Sequence, residues 1–92
     1  MAALSTGKPY TEQKRFDYIL RTFNEDIEEH ELVWHRDKKN RLISVITSNG
    51  WSFQFDDELP FELKDGMIFL IPKETYHRVI KGFGSLAIKI RE

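Results

Sequence analysis

The sequence contains no cysteine among its 92 residues. This absence excludes disulfide bonds, thiolate catalysis, and zinc or iron–sulfur centres with cysteine ligands. An excess of either charge is also missing, since 14 basic and 15 acidic residues give a formal net charge of −1. Bulk charge therefore gives no reason to expect a nucleic-acid or membrane partner, and we expect neither.

Long apolar runs are absent as well. No segment approaches the roughly 20 consecutive apolar residues that a membrane-spanning helix requires, and residues 1–9 lack the apolar core of a signal peptide. We therefore expect a cytoplasmic protein. The length suits one domain, and 40% hydrophobic with 32% charged residues is typical of a globular chain.

The N-terminal quarter of the chain differs from the rest in its pattern. Small residues, a glycine and a proline predict a flexible lead over residues 1–10, followed by one domain over 11–92. Helical spacing of four apolar side chains predicts a short helix over 11–24 with Thr11 as its N-cap; these are Phe16, Ile19, Leu20 and Phe23. A strand over residues 16–23 is the alternative, because aromatic and β-branched residues also suit a sheet.

The remainder of the chain has the alternating pattern of short strands. Strands are predicted at residues 31–35, 41–47, 51–55, 67–71, 78–80 and 86–90. Asn49-Gly50 is a strong hairpin signal between the second and the third of them. Short strands with a turn about every 8–12 residues are typical of a sandwich or barrel. The predicted fold class is therefore mainly β.

The segment GMIFLIPKETYHRVIK has the spacing of a known motif. Cupins carry a second motif, G-x5-P-x-G-x2-H-x3-N, and Gly66, Pro72 and His77 match it. Glu74 stands in place of the second glycine, and Lys81 stands in place of the asparagine. The match of this motif is specific despite the two departures.

The first cupin motif, H-x-H-x3-E-x6-G, is degraded in this chain. His35 matches the first histidine, whereas Asp37, Arg41 and Ser48 replace the second histidine, the glutamate and the glycine. Over roughly residues 30–92 the chain resembles the cupin superfamily, and it is similar to small uncharacterised cupins of marine bacteria and their phages. The resemblance implies a single antiparallel jelly-roll β-barrel with a short N-terminal helix or arm, and it implies a homodimer.

Three of these residues form a candidate metal site. His35 and Asp37 are two residues apart, so on a strand both side chains face the same way, and His77 from a neighbouring strand could join them. Two histidines and a carboxylate suit a divalent ion such as iron(II), nickel, manganese or zinc. The alternative rests on Arg41, which stands where cupins keep a metal-binding glutamate. Its charge would repel a cation and could pair with Asp37 instead, which would leave the histidines as ordinary core residues.

Arg41 also suits the role of an anchor for a small anionic ligand, because a guanidinium binds carboxylate or phosphate in a bidentate manner. In that interpretation four aromatic residues line the pocket, although aromatic residues at this period are more often part of an ordinary core: Trp51, Phe53, Phe69 and Tyr76. Three functions stay open, namely a ligand-binding or accessory cupin, a metal-dependent oxygenase or isomerase of a small molecule, and a structural or interaction module. The incomplete first motif favours the first of these over an enzyme.

Overall fold

The computed structural model describes residues 8–92. Within them eight strands form two antiparallel sheets. The strands are β1 (Thr11–Lys14), β2 (Ile19–Phe23), β3 (Arg41–Thr47), β4 (Ser52–Phe55), β5 (Phe61–Glu62), β6 (Ile68–Ile71), β7 (His77–Ile80) and β8 (Leu86–Arg91). The strand order is β1-β2-β8-β3-β6 in the larger sheet and β5-β4-β7 in the smaller. The prediction of a mainly β fold is confirmed. No helix in the described part of the chain is long and apolar enough to cross a membrane.

The helix predicted over residues 11–24 is wrong. This segment is a β-hairpin in which β1 pairs with β2, and β2 pairs in turn with β8 along its whole length. Phe16, which completed the helical pattern, lies fully exposed in the turn between the strands. Pairing with β8 therefore outweighs the local helical spacing, and the strand alternative holds for residues 19–23. The predicted flexible lead over residues 1–10 falls mostly outside the described residues.

The strand predicted over residues 31–35 is also wrong. A 3-10 helix spans Glu29–Glu31, and only His35 takes part in a ladder, through a single bridge to His77. The Glu28 amide donates to the Glu31 carboxylate at 3.3 Å, which favours a helical turn at the start of the segment. The single backbone bridge to His77 therefore sets the position of His35.

The core lies between the two sheets and is built by alternation along the strands. On β3 and β8 every second side chain is buried. The buried apolar residues are Phe23, Ile43, Val45, Trp51, Phe53, Leu63, Ile71, Leu86, Ile88 and Ile90. Asn49 and Gly50 form a tight turn in the left-handed conformation, at φ 55° and 79°. The hairpin predicted there is wrong, because β3 belongs to the larger sheet and β4 to the smaller, so the turn carries the chain from one sheet to the other.

Candidate metal site in the barrel cavity

His35 and His77 are brought side by side by the bridge between their backbones. The His35 amide donates to the His77 carbonyl at 3.0 Å, and the His77 amide donates back at 2.8 Å. Their ring centroids lie 4.3 Å apart. His77 opens β7, is only 3% exposed and stacks on Phe53, whereas the side chain of His35 is 46% exposed. One imidazole is therefore fixed in the core and the other stands at its edge.

Asp37 places its carboxylate between the two imidazoles. Oδ2 lies 3.4 Å from Nε2 of His77, and Oδ1 lies 4.0 Å from Nε2 of His35. The backbone carbonyl of Asp37 accepts a hydrogen bond from the Glu74 amide at 2.7 Å, so the loop before β7 holds this residue in place. One ligand atom from each of the three residues lies within 4.8 Å of the others. The structure thus brings together the three residues singled out as metal ligands.

The hydrogen bonds of the two imidazoles show which nitrogens face the carboxylate. Nδ1 of His77 lies 2.7 Å from the Thr75 carbonyl, and Nδ1 of His35 lies 3.2 Å from the Val33 carbonyl. A carbonyl only accepts, so each Nδ1 donates, and a neutral ring then keeps a lone pair on Nε2. Burial lowers the pKa of His77, and the nearby His35 lowers it further, against the opposing effect of the Thr75 hydrogen bond. The neutral form of His77 is thereby favoured.

Asp37 Oδ2 is a buried oxygen with no hydrogen-bond partner among the described residues. It faces the lone pair of His77 Nε2 at 3.4 Å. Two acceptors at this distance repel each other unless a cation lies between them, and a buried polar atom without a partner is uncommon in proteins. Asp37 Oδ2 and His77 Nε2 are therefore both suited to act as ligands of one cation.

Arg41 lies beside this group and forms the ion pair that the sequence left as an alternative. Its Nη1 is 3.3 Å from Asp37 Oδ1, and its Nε is 2.8 Å from Glu92 Oε2. The guanidinium therefore engages one edge of Asp37 and leaves Oδ2 free. Because two carboxylates already neutralise it, Arg41 has little charge to offer an anionic ligand.

A cavity of about 240 Å³ adjoins the three residues and runs between the sheets. Of the four aromatic residues proposed as its lining, Phe53 and Phe69 line it, whereas Trp51 and Tyr76 do not. Trp51 is fully buried and donates from Nε1 to the Gly84 carbonyl at 2.8 Å, away from the cavity. Tyr76 precedes His77 and so points outward.

The sequence analysis missed a buried charged residue of the cavity. Arg21 of β2 lines the cavity with Tyr10, and its side chain is 10% exposed. The predicted helix hid it, because the inward face of a helix would not place Arg21 together with Ile19 and Phe23. The strand alternative contained the signal, since residues 19, 21 and 23 share one face of a strand.

Comparison with known proteins identifies the fold. No protein-family model matches the chain, and no curated protein does. An RmlC-like cupin family protein with a double-stranded β-helix fold from Methanocaldococcus jannaschii matches with a TM-score of 0.68, 13% identity, and coverage of 91% of this chain and 80% of that one.

Two further solved structures match to a similar degree. A cupin-2 domain containing protein from Shewanella frigidimarina has a TM-score of 0.64 and 21% identity, with 89% of this chain and 78% of that one covered. Iron(II) HppE in complex with its substrate has a TM-score of 0.64 and 12% identity, and the match covers 90% of this chain and 52% of that one. At these identities the shared property is the fold, and the predicted cupin fold is confirmed. The similarity to cupins of marine bacteria and their phages stays a prediction.

Proposed function

We propose that this chain, which folds as a cupin barrel, binds a divalent transition-metal ion through His35, Asp37 and His77 and holds a small ligand in the adjoining cavity. The observation that carries the proposal is the buried Asp37 Oδ2, which has no hydrogen-bond partner among residues 8–92 and faces the lone pair of His77 Nε2 at 3.4 Å. A metal ion bound there would satisfy both atoms.

The residues present fit such an ion. Two imidazole nitrogens and one carboxylate are the ligand set that iron(II) favours and that nickel, manganese and zinc also accept. Adjacent ligand atoms around an ion with bonds of about 2.1 Å are roughly 3 Å apart, close to the distance between Asp37 Oδ2 and His77 Nε2. Both Nδ1 atoms are held by backbone carbonyls, as in established histidine sites. A bound ion would supply Lewis-acid or redox chemistry at the cavity wall.

The test is calorimetric titration of the chain with iron(II), nickel, manganese and zinc. The variant is His35→Ala, because this side chain is 46% exposed and its loss leaves the core intact. His30→Ala is the matched control, since His30 is exposed in the 3-10 helix and lies outside the ligand group. We expect one ion per chain, affinity at least about tenfold weaker in His35→Ala, and no change in the control. No binding at about 1 mM metal, or equal binding by His35→Ala, would refute the proposal.

A metal-dependent oxygenase or isomerase is the second candidate. Three protein ligands leave coordination positions open to the cavity, and all three residues line it. Nitric oxide probes this directly, because it binds iron(II) only where a position is open and then gives a characteristic electron paramagnetic resonance spectrum. Its failure to bind to the iron(II)-loaded chain would leave ligand binding without catalysis as the role.

The homodimer and the cytoplasmic location stay predictions. The outer face of β3 and the edge strand β6 supplies a surface for self-association, because Leu42, Ile68 and Leu70 are exposed there and Leu42 lies opposite Leu70. Light scattering checks the dimer, and a mass equal to that of one chain would contradict it.

A further inference from the structure

Arg21 is a charged residue in the wall of the cavity, distant from the candidate metal site. It lies on the inward face of β2, between the buried Phe23 and the half-buried Ile19. Its side chain is 10% exposed. Arginine is rarely buried, and replacing a buried ion pair by apolar residues often leaves stability unchanged or improves it. Stability therefore gives no reason for an arginine at this position.

The contacts of Arg21 leave part of its guanidinium available. Nε donates to Glu12 Oε2 at 2.7 Å, and Nη2 contacts the same oxygen. The Tyr10 ring covers one face of the group, with Cζ 3.8 Å from its centroid. A guanidinium has five N–H donors, and within residues 8–92 no acceptor contacts Nη1. Glu12 does not line the cavity, whereas Arg21 does.

The register of the sheet separates Arg21 from the metal-site end of the cavity. Arg21 pairs with Ile88 on β8, and Ile88 pairs with Val45 on β3, four residues beyond Arg41. Four residues of strand span about 13 Å. The wall between the two ends is apolar and includes Ile43, Ile88, Ile90 and Phe53. The cavity thus has the Arg21 cation at one end, the group of His35, Asp37 and His77 with Arg41 at the other, and hydrocarbon between them, and the exposed Glu31 is the remaining charged residue of its lining.

We propose that the cavity binds a small organic acid with an apolar body, whose carboxylate is held by Arg21 and whose opposite end lies at the candidate metal site. The placement of the opposite end rests on the proposed function, whereas the recognition of the acid by Arg21 does not. A planar carboxylate matches the donor fork of a guanidinium, and the apolar middle disfavours sugars and other hydroxylated ligands. Arg41 is the weaker anchor, because it faces two carboxylates while Arg21 faces one.

The test uses the metal-free chain, with octanoate and 1-octanol as matched probes in calorimetric titrations. We expect octanoate to bind at least about tenfold more tightly than the alcohol, the size of one charge-assisted hydrogen bond. Arg21→Met should remove this preference, because methionine keeps the apolar bulk and loses the charge. Glu12→Gln should tighten octanoate binding several-fold, because it removes the competing carboxylate. Arg15→Met is the control, at an exposed arginine whose side chain hydrogen-bonds only to Gln13 among the described residues.

The outcomes separate ligand recognition from packing and from metal binding. A merely structural ion pair would make Arg21→Met and Glu12→Gln both less stable to heat, with equal binding of the two probes in the wild type. Equal binding of acid and alcohol, or unchanged selectivity in Arg21→Met, would overturn the inference. Arg21→Met should bind metal as the wild type does, because Arg21 lies outside the ligand group, and His30→Ala, which lies outside both the ligand group and the cavity lining, should bind octanoate as the wild type does. A chain that prefers octanoate but takes up no metal would therefore refute only the proposed metal site.

Discussion

Glu74 occupies a position that the cupin motif reserves for glycine, and its backbone shows why. Its φ is 60°, in the left-handed region, and Asn49 is the other non-glycine residue with positive φ in the described part of the chain. The side chain reaches Arg36 Nε at 3.1 Å across the surface, with both groups about half exposed. Replacing Glu74 by glycine should relieve the backbone, and comparison with Glu74→Ala removes the effect of the ion pair.

The expected difference in the free energy of unfolding between Glu74→Gly and Glu74→Ala follows from two opposing terms. A side chain in the left-handed conformation costs roughly 1–2 kcal/mol, whereas glycine loses about 0.4–1 kcal/mol more than alanine through the entropy of the unfolded chain. Glu74→Gly should therefore be more stable than Glu74→Ala by about 0.8 kcal/mol. Lys73 has an ordinary negative φ and is exposed, so there the order should reverse, with glycine less stable than alanine by about 0.4–1 kcal/mol.

Urea unfolding measures both pairs of variants. The urea concentration at the midpoint of unfolding should differ between the variants. The slope of the free energy of unfolding against urea concentration should stay constant, because the surface exposed on unfolding is unchanged. The difference between the two sites, about 1.5 kcal/mol, is well above the error of such a comparison. If alanine is as stable as glycine at position 74, the left-handed backbone is not the reason that this motif position favours glycine.

Three other predictions concern the site and the turns. Arg41→Glu should bind nickel at least about tenfold more tightly than Arg41→Gln, because both variants remove the cation beside the ligand group and only glutamate adds the carboxylate that cupins keep there, and titration calorimetry measures the difference. The lowered pKa of His77 means that the unfolded chain takes up a proton first as the pH falls, so the stability that this residue contributes is complete above its ordinary pKa of 6.5 and is lost below it. Unfolding midpoints between pH 8 and pH 5 should show this loss, and it should be smaller in His77→Leu but unchanged in His30→Ala. Gly82→Ala should cost at least about 2 kcal/mol, because its Cβ would lie 2.2 Å from the Asn49 carbonyl oxygen, and thermal unfolding monitored by circular dichroism checks it.

The strands of the barrel could be predicted where alternation and turn signals agree. Residues 41–47, the Asn49-Gly50 turn and the strand at 86–90 combine apolar alternation with strong turn chemistry, and the structure has a strand or a tight turn in each place. The turn joins the two sheets and not two paired strands, since the sheet to which a strand belongs is not encoded in the turn residues. Residues 11–24 could not be predicted in this way, because their helical spacing is local whereas the pairing of β2 with β8 joins segments distant in the sequence.

The candidate site was predictable in its membership but not in its chemistry. Motif spacing was enough to select His35, Asp37 and His77, although His35 lies in an irregular segment and not on the predicted strand. Their convergence depends on one backbone bridge, which no local pattern encodes. The two carboxylate oxygens of Asp37 differ, because Oδ1 contacts Arg41 and Oδ2 contacts no donor. This difference depends on side-chain geometry and cannot be predicted from the sequence.

The departures from the cupin motifs compensate one another. Asp37 stands where the motif has a neutral histidine, and Arg41 stands where it has a negative glutamate, so the pair has a net charge of 0 where histidine and glutamate would give −1. The two meet at 3.3 Å, and the amide of Glu74, the third departure, holds the Asp37 carbonyl at 2.7 Å. Arg41 and the Glu74 amide thus both contact Asp37, the one carboxylate of the candidate ligand group, and fix its position.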